Sequence, residues 1–282
     1  MGNIIWIASY PKSGNTWMRV FIENYLQNAD HAVDINQLHE VSVAESKSIY
    51  YNKYLPEDRN TTHLSTSEIC ALRTLVHQDI ASQTNTSVFV KTHNFFGDFE
   101  GHALHNMAVS YGAIYIVRNP LDVCVSMSKY FGYSIDQAIE YMAEELMGTP
   151  NELENVPQIV TSWSLHVKSW TQTPNPYCLV LRYEDMLEKP SKVFRKVEKF
   201  IGAKKDPARL KKAIKNASFT QLKSQEKKRG FVEKHENAST FFNQGRKNQW
   251  REVLSEAQIQ KIIDIHRDQM VKYNYIPNNN QI

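Results

Sequence analysis

Asn3-Ile4-Ile5-Trp6-Ile7-Ala8-Ser9, running on into Tyr10-Pro11-Lys12-Ser13-Gly14-Asn15-Thr16-Trp17, is the stretch that decides the fold. The first segment is apolar, has the composition of a strand and stops at a Pro/Gly turn; from Thr16 to Gln27 the apolar residues Trp17, Val20, Phe21, Tyr25 and Leu26 recur at roughly helical spacing. The order is strand, loop, helix. Such a junction gathers unpaired backbone N–H groups, the positive end of the helix dipole, a lysine and two hydroxyls around one point, which suits a phosphate or similar anion. The pattern GxxxxGK[ST] is absent because Lys12 precedes Gly14 and only one glycine is present, so an ordinary nucleoside triphosphatase is disfavoured. A plain turn with a surface lysine is the alternative.

The alternation continues along the chain. Ser87–Lys91, Ala113–Val117 and Tyr177–Leu181 read as further strands. Asn119 can cap a helix from Pro120 to about Phe131, with Pro120 at its first position and Asp122 at its third. Ser191–Ile201 and Ser255–Tyr273 carry helical periodicity. Continuous apolar strands followed by helices predict an α/β fold, a central parallel sheet flanked by helices, in a single domain over 1–282. The stretches 31–60 and 223–248 lack clear periodicity; each reads as a mobile lid over an active site or as a solvated surface loop. The polar end, 277–282, reads as a frayed tail.

The chain has 282 residues, 41% hydrophobic and 22% charged, which excludes a disordered or fibrous protein. Its net charge of +3 is too small for a protein built on nonspecific nucleic-acid binding, so no nucleic-acid partner is expected and any anion site must be local. Cys70, Cys124 and Cys178 are far apart and form no CxxC pair, which argues against a disulfide framework or a zinc cluster. Without a signal-like start or an apolar run of about eighteen residues, a cytoplasmic location and no membrane span are expected.

Tyr10–Trp17 (YPKSGNTW) resembles the 5′-phosphosulfate loop of the soluble, cytosolic-type sulfotransferases, among them the bacterial-like small-molecule enzymes, which use 3′-phosphoadenosine 5′-phosphosulfate (PAPS). The resemblance implies a P-loop-like, nucleoside-kinase-like fold in which Lys12, Ser13, Gly14, Asn15, Thr16 and Trp17 hold the donor. Ile116–Ser126 is similar to the family's 3′-phosphate segment, implying Arg118 and Ser126 as phosphate ligands, a task for which the guanidinium fork is suited. Lys91-Thr92-His93 resembles the segment of the catalytic base. It implies His93 as general base, with Lys91 assisting at the sulfuryl oxygens; an imidazole titrating near neutrality suits the task. Its position after a strand end, where open α/β sheets place their ligands, agrees.

Tyr183-Glu184-Asp185-Met186 resembles the YEDM segment, implying Tyr183 at the adenine. Asn216-Ala217-Ser218-Phe219 resembles the TSF segment, implying Ser218 and Phe219 near the base, with Ala217 where a threonine is frequent. Trp17 and Phe219 would then bracket the adenine. Phe241–Arg251 resembles RKGxxGDWK with departures: Gly245 and Trp250 align, Asn243-Gln244 replace the leading Arg-Lys, and Asn248-Gln249 replace Gly-Asp. The expectation here is phosphate binding by the backbone at Gly245, with charge from Arg246 and Lys247.

The implied reaction moves a sulfuryl group from PAPS to a hydroxyl of a small-molecule phenol or alcohol and leaves adenosine 3′,5′-bisphosphate. Lys12 would stabilise the leaving phosphate, and no metal would be required. Phe95, Phe96, Tyr130, Phe131, Tyr133 and Trp163 suit either an acceptor pocket or the core. A magnesium-dependent nucleoside or small-molecule kinase and a non-catalytic nucleotide-binding regulator are the alternatives. A homodimer stays open, since Trp250–Lys261 does not clearly reproduce the short dimerisation motif of the animal members.

Overall fold

The computed structural model describes residues 2–40, 42–243 and 245–277; Gln244 and the expected tail from 278 onward lie outside the described residues. The elements in order are β1 (Asn3–Ser9), α1 (Asn15–Gln27), β2 (Ser42–Ala44), α2 (Ile49–Asn52), α3 (Thr66–Ser82), β3 (Ser87–Thr92), a hairpin of β4 (Asp98–Phe99) and β5 (His102–Ala103), β6 (Ser110–Val117), α4 (Pro120–Phe131), α5 (Ile135–Ala143) and α6 (Trp163–Thr171). Then come β7 (Cys178–Arg182), α7 (Tyr183–Glu188), α8 (Pro190–Phe200), α9 (Pro207–Asn216), α10 (Phe219–Arg229) and α11 (Glu256–Lys272).

The expected parallel sheet is present, with strand order β2-β3-β1-β6-β7 and every pairing parallel. β1 lies at its centre, with Ile7 opposite Lys91 of β3 on one side and Ile114 of β6 on the other. Successive side chains of a strand point to opposite faces. Ile4, Trp6 and Ala8 accordingly enter one core layer with Val123, Val167 and Ile262, while Ile5 and Ile7 enter the other with Val20, Phe21 and Val193. Burial on both faces is why the strands read as continuous apolar runs.

Local chemistry fixes the boundaries best where caps are strong. The Asn119 side chain accepts from the Leu121 N–H, Pro120 occupies the first turn, and α4 stops at Gly132, whose φ of 75° is the left-handed conformation that glycine tolerates. β6 starts at Ser110 rather than at Ala113, because Ser110 and Gly112 pair with the start of β1 across a register shift.

Part of the stretch 31–60 is built into the fold. Ser42–Ala44 pairs with Phe89–Lys91 as an edge strand, and the next residue, Glu45, is fully buried. Glu45 accepts from Thr92 Oγ1 (3.1 Å), Asn94 Nδ2 (2.6 Å) and Tyr51 Oη (3.2 Å), and it forms an ion pair with the fully buried Arg73. Burial raises its pKa, but Arg73, His77 and His105 outweigh that and hold it down at about 2. Because this folded value lies below the ordinary 4.5, the stabilisation is present above about pH 4.5 and is lost as the pH falls toward 2. Glu45→Ala strands the Arg73 charge and is expected to cost about 3–5 kcal/mol, read from urea unfolding at neutral pH. A loss below about 1 kcal/mol would mean that water replaces the carboxylate.

All five strands being parallel, Ser9, Thr92, Val117 and Arg182 end on one edge of the sheet. The chemistry gathers there. Among the described residues no helix is long and apolar enough to cross a membrane.

Candidate active site

Between β1 and α1 the backbone turns through Lys12 (φ 64°) and Gly14 (φ 106°). At Gly14 a Cβ would stand 2.7 Å from the Tyr183 ring, so this position requires glycine for both space and backbone angle. α1 begins without a side-chain cap, which leaves its first N–H groups available to a ligand. Asn15 holds the turn to the sheet, donating from Nδ2 to the Ile7 carbonyl at 2.8 Å. Ser13 is fully buried and its Oγ has no partner.

A cavity of about 280 Å³ opens above this turn. It brings together Lys12, Gly14, Asn15, Thr16 and Trp17 from the loop and α1, Lys91 and His93 from β3 and its end, Arg118 and Ser126 from β6 and α4, and Tyr183 and Phe219. A smaller lobe of about 70 Å³ adjoins it and is reached by Gly245 and Lys129. Trp17 donates from Nε1 to the Ala217 carbonyl at 2.8 Å, which fixes its ring beside Phe194 and Tyr183. Gly245, at φ 58°, lies so close to the Phe219 ring that a Cβ would stand 2.2 Å from it.

Positive charge is concentrated here. Lys12 Nζ sits 3.3 Å from the centroid of the Tyr130 ring and 4.2 Å from that of Phe241, a cation–π cage with no carboxylate ion-paired to it among the described residues. Burial, then repulsion from Arg118 and Lys91, lowers its pKa well below the ordinary lysine value. Arg118 is buried, lies 4.4 Å over the Tyr183 ring and donates to the Lys12 carbonyl at 2.8 Å, while its Nε has no partner. An orphaned Arg118 Nε, uncapped N–H groups and a half-buried lysine fit an anionic group.

His93 is held on three sides. Its Nδ1 lies 2.7 Å from the Ser9 carbonyl, its N–H donates to Gln158 Oε1 at 2.8 Å, and its carbonyl accepts from His166 Nε2 at 3.1 Å. A carbonyl only accepts, so Nδ1 carries the proton and Nε2 keeps the lone pair. Burial, followed by the charge of Lys91, pushes the His93 pKa down to about 3, so the ring is neutral at ordinary pH. Neutral imidazole is the form a base needs.

Lys91 does not stand alone beside it. Glu233 accepts from Lys91 Nζ at 3.1 Å and from Arg19 Nη1 at 2.6 Å, and the Tyr130 hydroxyl donates to the Glu233 carbonyl at 2.7 Å. Although burial pushes the Glu233 pKa up, Lys91 and Arg19 hold it well below the usual carboxylate range. The clasp lays part of the stretch 223–248 over the cavity, where His235, Phe241 and Phe242 also line it.

The remaining expected residues are placed elsewhere. Arg246 is ion-paired with Glu252 and Lys247 with Glu188, and neither lines the cavity or its lobe. These ion pairs hold the basic pair after Gly245 outside the lining of the cavity and its lobe, not in the position that adjacency to the glycine suggested. Ser218 stands at the N-cap position of α10, makes no side-chain capping bond there and does not line the cavity. Of the aromatics, Tyr130 and Phe131 line the cavity and Tyr133 stacks on Phe131. Trp163 is core, Phe95 packs in a small cluster with Cys70, and Phe96 faces a separate cavity beside Trp170. Sequence reading missed Glu233, Lys129, Tyr141 and His235. Only Glu233 had a signal, as an acid within a lysine-rich stretch.

A family model described as "Sulfotransferase domain" matches residues 3–274. The chain is 26% identical to sulfotransferase 1B1 of Canis lupus familiaris over 94% of this chain and 82% of that relative. It is likewise 26% identical to sulfotransferase 1C2 of Homo sapiens over 94% and 82%. Among solved structures, mouse sulfotransferase SULT7A1 complexed with PAP superposes with a TM-score of 0.64 at 20% identity, covering 96% of this chain and 85% of that one. Retinol dehydratase in complex with androsterone and PAP gives 0.63 at 18% identity, covering 98% and 83%. These two similarities concern the fold.

Proposed function

Since this chain belongs to the sulfotransferase domain family, we propose that it transfers a sulfuryl group from PAPS to a hydroxyl of a small phenol or alcohol. The observation that carries the reading is the meeting of Lys12, Arg118 and a neutral, oriented His93 around one cavity. Bound PAPS would supply an activated sulfuryl group on a phosphate leaving group. Its 5′ end would be held by the N–H groups of the turn and of uncapped α1, Thr16 and Lys12, and its base by Trp17, Tyr183 and Phe219. Negative charge grows on the leaving oxygen in a loose transfer, and a fixed cation in a dry site opposes it without reorganisation. Lys12 fills that role. His93 Nε2 takes the acceptor proton while the Ser9 carbonyl keeps the ring in place. Lys91, tied to Glu233, orients at the sulfuryl oxygens. Phe131, Tyr141, Thr149 and His235 give the acceptor a largely aromatic wall.

Incubation with labelled PAPS and a panel of phenols and alcohols is expected to give labelled sulfate esters. Thermal shift is expected to show stabilisation by adenosine 3′,5′-bisphosphate without magnesium and little by ATP, with or without it. Stabilisation by magnesium-ATP alone, with no ester formed, would defeat the reading.

A further inference from the structure

The smaller lobe has the makings of an anion site of its own. It is lined by Lys12, Arg118, Ser126, Lys129, Asn243 and Gly245, and no carboxylate is among its lining side chains. Arg118 is 6% exposed and its buried Nε lacks a partner. Ser126 and Lys129 are three residues apart on α4, hence on one face of the helix, and Arg118 lies just before the Asn119 cap that starts it. One rigid element, running directly out of β6, therefore brings Arg118, Ser126 and Lys129 to the same small space, where the Lys129 charge also reaches toward Glu252.

The segment that closes the lobe is fixed independently. Asp122, in the first turn of α4, accepts from the N–H of Asn248 at 2.7 Å and of Trp250 at 3.2 Å, which sets the Gly245 turn against the helix. This anchoring brings the glycine to the lobe while Arg246 and Lys247 pair with Glu252 and Glu188.

We propose that Lys129 is the cation that reads the ribose 3′-phosphate of the nucleotide, together with Arg118 and Ser126, and that Arg246 and Lys247 take no part. The inference rests on the PAPS reading above. A phosphate monoester carries close to two negative charges at neutral pH, and Arg118 and Lys129 supply two positive ones without help from the closing segment.

The test compares adenosine 3′,5′-bisphosphate with AMP, which lacks the 3′-phosphate, by calorimetric titration of wild type, Lys129→Gln and the double variant Arg246→Ala/Lys247→Ala. Wild type is expected to prefer the bisphosphate. Lys129→Gln should lose about tenfold to a hundredfold of that preference, the worth of a charge-assisted bond, with AMP affinity nearly unchanged. The double variant should keep the preference. Lys129 is exposed on the outer part of α4, so the fold tolerates its replacement. Full preference retained by Lys129→Gln, or lost in the double variant, overturns the assignment. A wild type that binds AMP as well as the bisphosphate overturns the PAPS reading and this inference together, which separates the two failures.

Discussion

Lys12→Met is expected to lower turnover about a thousandfold, the scale of removing a preorganised charge at a developing anion, while the protein stays folded. The ammonium group costs stability in the free protein. It sits between Tyr130 and Phe241, is repelled by Arg118 and Lys91, and has its pKa lowered first by burial. A methionine of similar length fills the same cage without a charge to desolvate, so the melting temperature should hold or rise. Labelled-sulfate transfer gives the rate and scanning calorimetry the stability. A variant that turns over near the wild-type rate would remove Lys12 from the chemistry, and one that melts far lower would make it structural.

His93→Ala is expected to lower kcat by about a hundredfold to ten-thousandfold, the usual worth of a general base, and to leave bisphosphate affinity within about twofold. The pH profile of the wild type gives a sharper reading. The neutral ring is the working form, and its folded pKa of about 3 places loss of kcat/KM well below the ordinary imidazole value, as the pH falls through that range. A bound nucleotide adds negative charge, which favours the protonated ring and raises this pKa, so the acid limb of kcat should lie above that of kcat/KM. An acid limb near pH 6.5 in kcat/KM would contradict the burial that depresses the group. Collapse of bisphosphate binding in His93→Ala would mark the residue as structural.

What could be read from sequence was what local chemistry controls. The apolar run of β1, the glycine turn and the Asn119-Pro120 cap each act within a few residues, and each stands where the pattern put it. Side chains that the sheet's parallel order brings to one edge, such as Lys12, His93 and Arg118, followed from the strand ends. β2 was illegible because three residues, Ser42–Ala44, carry no period, and a buried Glu45 runs against every composition rule until Arg73 is in view. Glu233 finds Lys91 across 142 positions, a pairing that no short-range signal encodes. Arg246 and Lys247 show the opposite case. Adjacency to Gly245 suggested a shared target, but two nearby carboxylates decide where those long side chains end.

The bond from His93 to the carbonyl of Ser9 joins the base to the last residue of the central strand, one step before the anion-binding turn begins. On the proposed reading, proton removal and donor grip are thus registered by the same backbone, whereas Phe131, Tyr141, Thr149 and His235 reach the cavity from α4, α5 and two loops outside the sheet. Acceptor choice can therefore drift, or be redesigned by randomising those four positions, with the transfer machinery inherited unchanged.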